Sequence, residues 1–170
     1  MSGRALLGAF ALGFAVIGAA GAGLNANWSD HLTGAQEVPA RDSKGQGQAI
    51  FHLSDDGSSV DFKLMATNID NVIAAHIHIG PLGVNGPVVV FLYGPAAPGA
   101  GRHNGVLSTG TFTAANLTGP LAGQPLSALI DAMRSGNAYV NVHTNDGVAP
   151  INEGPGDFPG GEIRAQIIEE

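Results

Sequence analysis

Two histidines, His76 and His78, have the spacing in this sequence that most clearly suggests chemistry. They lie in the apolar run Val72 to Ile79, which Gly and Pro residues separate from a second apolar run, and this pattern predicts strand, turn and strand. Because side chains alternate along a strand, both imidazoles point to one face, while Ile77 and its apolar neighbours point to the other. Two imidazoles side by side on the polar face of a strand predict half of a metal site.

A third histidine, His143, is the candidate that completes this site. It belongs to the predicted strand Ala138 to Thr144, in which Val140 and Val142 point inward and the histidine lies on the outer face. If the two strands are close, all three imidazoles converge without disturbing the core. Three nitrogen ligands with one open position suit a copper or zinc ion. The alternative is that these are surface or hydrogen-bonded histidines, because local spacing fixes only two of the three ligands.

The last predicted strand, Gly161 to Ile168, supplies candidates for the rest of the site. An antiparallel pairing with the strand of His143 would place Glu162 near that histidine and Arg164 near Asn141. Glu162 could be a fourth ligand, or an acceptor that fixes the tautomer of a ligand histidine. A surface ion pair between Glu162 and Arg164 is a further interpretation. We expect the ion pair or the hydrogen-bonding role rather than direct ligation.

The other histidines and the acidic residues show no comparable arrangement. His31, His52 and His103 are isolated in the sequence, and we expect them at the surface. The segment from Asn145 to Phe158 is acidic and rich in Gly and Pro. It lacks the ordered Asp spacing of a calcium loop, so we interpret it as a solvated acidic loop.

The elements that must position these side chains are mostly short strands. The clearest runs from Val60 to Thr67 with its odd-numbered positions facing water, whereas Pro125 to Ser135 has a helical apolar stripe that Gly136 would end. We expect one bulged strand or a strand pair over Trp28 to Val38, and an irregular loop over Gly94 to Gly105. The pattern predicts an all-β protein, an antiparallel β-sandwich or barrel with one short helix near residues 125–135.

The first 26 residues have the pattern of a secretory signal peptide. Arg4 precedes an uncharged apolar run from Ala5 to Ala20, small residues follow, and cleavage is expected near residues 22–26. An uncut membrane anchor is the alternative, but glycines thin out the apolar run and no stop-transfer flank follows. We therefore expect a single domain over residues 27–170 in the periplasm or secreted, and an oxidising location favours copper.

Charge and composition exclude some classes of binding partner. The formal net charge is −7, and seven Lys and Arg residues are spread along the chain. Nucleic acid and anionic membrane both need a clustered basic face, so we expect neither as a partner after signal cleavage. The sequence has no cysteine, which excludes disulfides and a lipoprotein anchor. A metal ion is the one partner that the residues indicate, and a protein partner is unknown.

Several sequence blocks resemble the CHRD domain, which is named for repeats in chordin and is common in bacterial exported proteins. The blocks are Gly34 to Pro39 (GAQEVP), Ala74 to Val90 (AAHIHIGPLGVNGPVVV), Tyr139 to Thr144 (YVNVHT) and Pro159 to Gln166 (PGGEIRAQ). The resemblance implies an immunoglobulin-like or superoxide-dismutase-like β-sandwich or barrel, and no established enzyme activity. Its pattern includes the three histidines, Glu162 and Arg164, and it adds Glu37 to the candidates for a fourth ligand or a partner of the ligand histidines.

These observations predict an exported protein that binds one copper or zinc ion through His76, His78 and His143. It would store, deliver or sense the metal rather than catalyse a reaction. A second hypothesis is a structural or adhesive module that binds a protein or glycan without metal. A third is a redox enzyme that resembles copper–zinc superoxide dismutase, and it ranks last because the sequence has no matching second histidine cluster.

Overall fold

A computed structural model describes residues 26–169, which form eight strands and one α-helix. The predicted signal segment lies outside the described residues except for Ala26. The predicted all-β antiparallel class with one short helix is confirmed. The elements are β1 (Asn27–Thr33), β2 (Gln46–Leu53), β3 (Ser59–Asp70), β4 (Val72–Ile79), β5 (Val88–Tyr93), β6 (Arg102–Thr113), α1 (Leu126–Arg134), β7 (Ala138–Thr144) and β8 (Ile163–Gln166).

The eight strands form one antiparallel sheet in the order β5-β4-β7-β8-β1-β2-β3-β6. The sheet curls into a nearly closed barrel. Its edge strands β5 and β6 approach each other, and Ser108 Oγ on β6 donates a hydrogen bond of 2.8 Å to the carbonyl oxygen of Leu92 on β5. The two strands that carry the candidate ligands, β4 and β7, are direct neighbours, and β8 lies on the other side of β7.

The inner faces of the strands enclose an apolar core. Leu64, Ile77, Val140 and Ile163 are fully buried there, as the alternation in their strands predicts. Burial of such side chains contributes roughly 1.5–3 kcal/mol each, which makes this face the main source of stability. The inward-facing residues of β4, β7 and β8 therefore hold the backbone that carries the candidate ligands.

The predicted helix is confirmed as α1. Its apolar stripe is buried, with Leu129 and Met133 inaccessible to solvent. Pro125 precedes its first turn, and Gly136 follows it with φ of +67°, a conformation that glycine adopts without strain. Met133 is thus a core residue and not a metal ligand.

The outer face of β7 and β8 is also buried, which differs from the expectation. All residues of β7 and β8 are inaccessible or nearly so. Two loops cover this face, since Val84 accepts a hydrogen bond from Arg164 and Pro159 contacts His143 through its carbonyl oxygen. The candidate ligands consequently lie in a covered polar layer and not on an open surface.

Two segment boundaries also differ from the predictions. The opening strand ends at Thr33, and Gly34–Gln36 forms a 3-10 turn instead of a second strand. Strand β6 begins at Arg102, inside the predicted loop, because its backbone pairs with β3, where Asp70 lies opposite Arg102. The start of β6 consists of polar residues and glycine without apolar alternation, so the sequence pattern did not predict a strand there. Within residues 26–169 no helix is long and apolar enough to cross a bilayer.

Candidate metal centre

The three candidate ligands meet at the β4–β7 pair. The ligand atoms of His76, His78 and His143 all lie within 4.8 Å of one another, and His76 Nδ1 is 3.0 Å from His143 Nε2. The strand register explains this convergence. Asn141 lies opposite His76 and Ala74 lies opposite His143, so the two histidines are diagonal neighbours on one face, within reach of long side chains.

Backbone carbonyls fix the tautomers of two of the imidazoles. His78 Nδ1 lies 2.9 Å from the Gly86 oxygen, and His143 Nδ1 lies 2.9 Å from the Pro159 oxygen. Because a carbonyl oxygen only accepts, each Nδ1 carries the hydrogen and each Nε2 presents a lone pair. Metal-binding histidines are usually held in this way. The Nε2 atom of His78 is buried and has no hydrogen-bond partner among residues 26–169.

The site keeps its histidines neutral. Burial, with smaller effects of His143 and His78, lowers the pKa of His76 from 6.5 to about 3. Burial also lowers the pKa of His143 to about 4, although the Pro159 carbonyl opposes the shift, and it lowers the pKa of His78. Neutral imidazole is the form that binds a metal ion. The cluster is therefore ready for coordination at pH 7.

An aromatic ring and a buried cation hold His78 from one side. The His78 ring stacks on Tyr139 with centroids 4.7 Å apart and ring planes 8° apart. The Arg164 guanidinium carbon lies 3.4 Å from the Tyr139 centroid. Arg164 is 1% exposed and donates hydrogen bonds of 3.1 Å to the Val84 oxygen and to Asn85 Oδ1. It thus ties the 80–87 loop over the histidines.

The strand register places Glu162 beside His143 as expected, but its side chain binds other groups. It is fully buried, and its carboxylate accepts hydrogen bonds from Thr144 Oγ1, Ser43 Oγ and the Gly156 N–H. The predicted surface ion pair with Arg164 is wrong, because both residues are buried and each binds other groups. The Glu162 carboxylate joins the 145–161 loop to β7 and does not contact the histidine cluster through these bonds.

Asn141 and Glu37 lie beside the cluster. Both are nearly inaccessible, at 3% and 5% exposure, and Gly161 leaves room for them, since a Cβ there would lie 2.5 Å from Glu37 Oε1 and 2.7 Å from Asn141 Nδ2. Burial raises the pKa of Glu37 to about 7, against the opposing effects of Arg164 and Asn141. Glu37 comes from the loop after β1, and only the resemblance to a family could have indicated it from the sequence.

The sequence of this chain matches a known protein family. The family model of the CHRD domain matches residues 28–167, which include all three histidines. The chain belongs to the CHRD domain family. No curated protein and no solved structure matches the chain. Family membership supports a binding module for this CHRD domain.

His76 is the most accessible of the three clustered histidines of this CHRD domain. His76 retains partial exposure, whereas His78 and His143 are 7% and 8% exposed. Phe91 on β5 meets the His76 ring edge to face, with centroids 4.7 Å apart and planes 84° apart, and is itself 57% exposed. Sequence reasoning missed Phe91, although a β4–β5 hairpin would place it opposite His76.

The residues of the CHRD domain fit a metal ion. Two ligand nitrogens on one ion lie about 3.3 Å apart, given metal–nitrogen bonds of about 2.0–2.1 Å and tetrahedral angles. The 3.0 Å separation of His76 Nδ1 and His143 Nε2 needs little adjustment to reach this value. A hydrogen atom lies between these nitrogens, and His76, which is partly exposed, can exchange it with solvent. The unpaired Nε2 of His78 supplies the third donor.

Proposed function

We propose that this CHRD domain binds one copper or zinc ion through His76, His78 and His143, and that it stores, delivers or senses the metal without catalysis. The observation that carries the proposal is the orientation of His78 and His143. Backbone carbonyls take both Nδ1 hydrogens, so both Nε2 lone pairs face the cluster. Binding then needs only small adjustments: the hydrogen between His76 and His143 must leave, and ligand atoms that lie within 4.8 Å of one another must draw closer.

The donor set narrows the choice of metal. Three neutral imidazoles suit copper, zinc and some other transition metals, whereas Mg²⁺ and Ca²⁺ prefer oxygen ligands. Copper has the highest affinity among the divalent first-row ions at a given nitrogen site. An exported protein would meet copper in an oxidising compartment, which adds weight to this ion.

Calorimetric titration of the metal-free protein with Cu²⁺ and with Zn²⁺ tests the proposal. The matched variants are His76→Ala/His78→Ala and His31→Ala/His52→Ala, because the second pair removes two exposed histidines from β1 and β2. We expect one ion per chain in the wild type and in the β1–β2 control, and loss of binding in the cluster variant. Equal binding by all three proteins would refute the site.

A binding module that needs no metal is the second candidate function. The observation that favours it is a set of exposed apolar side chains, Leu82, Val84 and Phe91, on the 80–87 loop and β5. Contacts through Asn141 or Arg164 do not suit this function, because both are buried. Under this candidate, a chelator leaves the melting temperature and partner binding unchanged, whereas bound metal would raise the melting temperature.

We also propose that the protein is exported to the periplasm or secreted. The support is the basic, apolar and small-residue pattern of residues 1–26. N-terminal sequencing of the protein from the extracytoplasmic fraction should give a start near residues 23–27. An intact Met1 in a membrane fraction would instead indicate an uncut anchor.

A further inference from the structure

Three buried polar atoms beside the histidine cluster lack hydrogen-bond partners within the described part of the chain. They are His78 Nε2, Asn141 Oδ1 and Glu37 Oε1. The first two are acceptors, because His78 carries its hydrogen on Nδ1, and an ionised Glu37 accepts as well. Acceptors cannot satisfy one another, and an unsatisfied buried polar group costs roughly 1–3 kcal/mol. A protonated Glu37, whose pKa burial raises to about 7, can donate to Asn141 Oδ1, but His78 Nε2 still lacks a donor. The arrangement therefore calls for a cation or a further hydrogen donor at His78.

These three groups are neighbours. Asn141 lies opposite His76 on β7, and its amide is close enough to affect the pKa of both His78 and Glu37. The geometry nevertheless leaves Asn141 Oδ1, His78 Nε2 and Glu37 Oε1 without a well-formed hydrogen bond. The distances from a Cβ on Gly161, 2.5 Å to Glu37 Oε1 and 2.7 Å to Asn141 Nδ2, place the carboxyl and the amide side by side. The Asn141 amide thus lies between the imidazole cluster and the Glu37 carboxyl.

We propose that the fourth position of the ion is taken by a water molecule whose hydrogens are accepted by Asn141 Oδ1 and Glu37 Oε1. This inference rests on the proposed metal binding by the three histidines. One ion and one water satisfy all three atoms, since His78 Nε2 binds the ion and the two oxygens take the two hydrogens of the water. A cation strengthens the hydrogen bonds that its bound water donates, because it polarises the O–H bonds.

Glu37 acts through the water and not as a direct ligand. The group of side chains whose ligand atoms lie within 4.8 Å of one another contains the three histidines and, among residues 26–169, no carboxylate. Burial raises the pKa of Glu37 to about 7, whereas the charges of Arg164 and Arg41 favour its ionised form and oppose this shift. A cation bound at the histidines would favour the ionised form further. A carboxylate held in this way accepts a hydrogen bond without displacing the water.

Cobalt substitution tests the assignment, because visible absorption of Co²⁺ reports its ligands and the ionisation of its bound water. The comparison uses the full chain as wild type, Glu37→Gln, His78→Ala and the control Glu153→Gln, which alters an exposed loop glutamate. Metal affinity should fall roughly 10- to 100-fold in Glu37→Gln, as is usual when a partner beyond the direct ligands is lost. Affinity should be unchanged in Glu153→Gln and lost in His78→Ala.

The pH dependence of the Co²⁺ spectrum separates the water assignment from a merely structural effect. The wild type should show one transition as the bound water loses a proton. In Glu37→Gln its midpoint should fall by about one pH unit, because a neighbouring negative charge no longer opposes formation of hydroxide. The Glu153→Gln midpoint should match the wild type.

Each other outcome overturns a defined part of the argument. If the wild type binds Co²⁺ with the same midpoint in Glu37→Gln, the metal site stands and the water assignment fails. If Glu37→Gln loses binding as completely as His78→Ala, the carboxylate is a direct ligand and the water assignment also fails. If the wild type binds no Co²⁺, Cu²⁺ or Zn²⁺, the site and the water fail together.

Discussion

His76 Nδ1 and His143 Nε2 lie 3.0 Å apart although 67 positions separate the two residues in the chain. Pairing of β4 with β7 produces this proximity, and the valines and isoleucines on the inner faces of those strands maintain it. The candidate ligands are consequently held by the most buried part of the molecule. A preorganised cluster of this kind loses little conformational entropy when it binds an ion.

Metal binding should depend only weakly on pH between 5 and 7. The pKa values of His76 and His143 are lowered to about 3 and about 4, so protons compete with the ion only under more acidic conditions. Competition with a chromophoric chelator over pH 4–7 measures this dependence. A Zn²⁺ affinity that drops steeply from pH 6.5 downward, as for free histidine, would contradict the buried and neutral state of the cluster.

The stability of the metal-free protein should rise with pH between about 4 and 6.5. In this window, histidines with lowered pKa values bind fewer protons in the folded state than in the unfolded state. The free energy of unfolding therefore increases as the pH rises. Glu37, whose pKa is raised to about 7, acts in the opposite direction between about 4.5 and 7. The three imidazoles together contribute more to the pH dependence of the free energy of unfolding than the one carboxyl does, so the net change is a rise.

Urea unfolding at a series of pH values measures this rise. Glu37→Gln should make the rise steeper and His76→Ala should make it shallower. A free energy of unfolding that falls from pH 4 to pH 6.5 would show that the histidines are protonated in the folded protein.

Gly161→Ala should destabilise the protein more than Gly105→Ala. Both glycines have φ of +125°, a region that an alanine at either position would occupy only with strain. At Gly161 the new Cβ also meets Glu37 Oε1 at 2.5 Å, whereas at Gly105 nothing lies within 4 Å in the described structure. The difference should be roughly 1–3 kcal/mol, the usual cost of overpacking, and thermal unfolding of both variants measures it. Equal melting temperatures would mean that Glu37 moves away freely.

Arg164→Met should destabilise the protein by about 3 kcal/mol, because the oxygens of Val84 and Asn85 lose a charged donor in a buried site. The control is Arg102→Met, which removes an exposed ion pair with Asp70 and should cost under about 1 kcal/mol. Denaturant unfolding compares the two variants. A loss at Arg164 no larger than at Arg102 would show that the loop does not depend on this guanidinium.

Phe91→Ala should speed the release of bound metal. The Phe91 ring packs edge to face on His76, the candidate ligand histidine with the greatest access to solvent. The control is Val106→Ala, which removes a similarly exposed apolar side chain from β6, at 51% against 57% for Phe91. Stopped-flow mixing of metal-loaded protein with excess chelator should give a several-fold higher rate for Phe91→Ala alone. Identical rates would place the exit path elsewhere.

Periodic segments could be predicted from the sequence because one local pattern decides each of them. The alternation in β3, the apolar stripe of α1 and the Asn141–Arg164 pairing between β7 and β8 are all confirmed. The inward residues of these elements are large and aliphatic, and neighbouring turns contain Gly or Pro. In such segments local preference and tertiary packing agree.

The covered state of the histidine face could not be predicted in this way. It depends on where the 80–87 and 145–161 loops fold, and long loops carry no periodic signal. The burial of Arg164 and the partners of Glu162 follow from those loops, through contacts such as Val84 to Arg164 and Gly156 to Glu162. Strand alternation identifies which residues share a face, but it does not identify what lies on top of that face.

Under the proposed export and metal binding, the wide separation of the histidines along the chain also sets the order of events during biogenesis. An unfolded chain offers an ion only the local pair His76 and His78, because His143 arrives when β7 pairs with β4. A polypeptide that is threaded through a translocation pore would therefore travel without its metal. Loading would follow at the destination, so the ion pool outside the cytoplasm would determine which metal this protein carries.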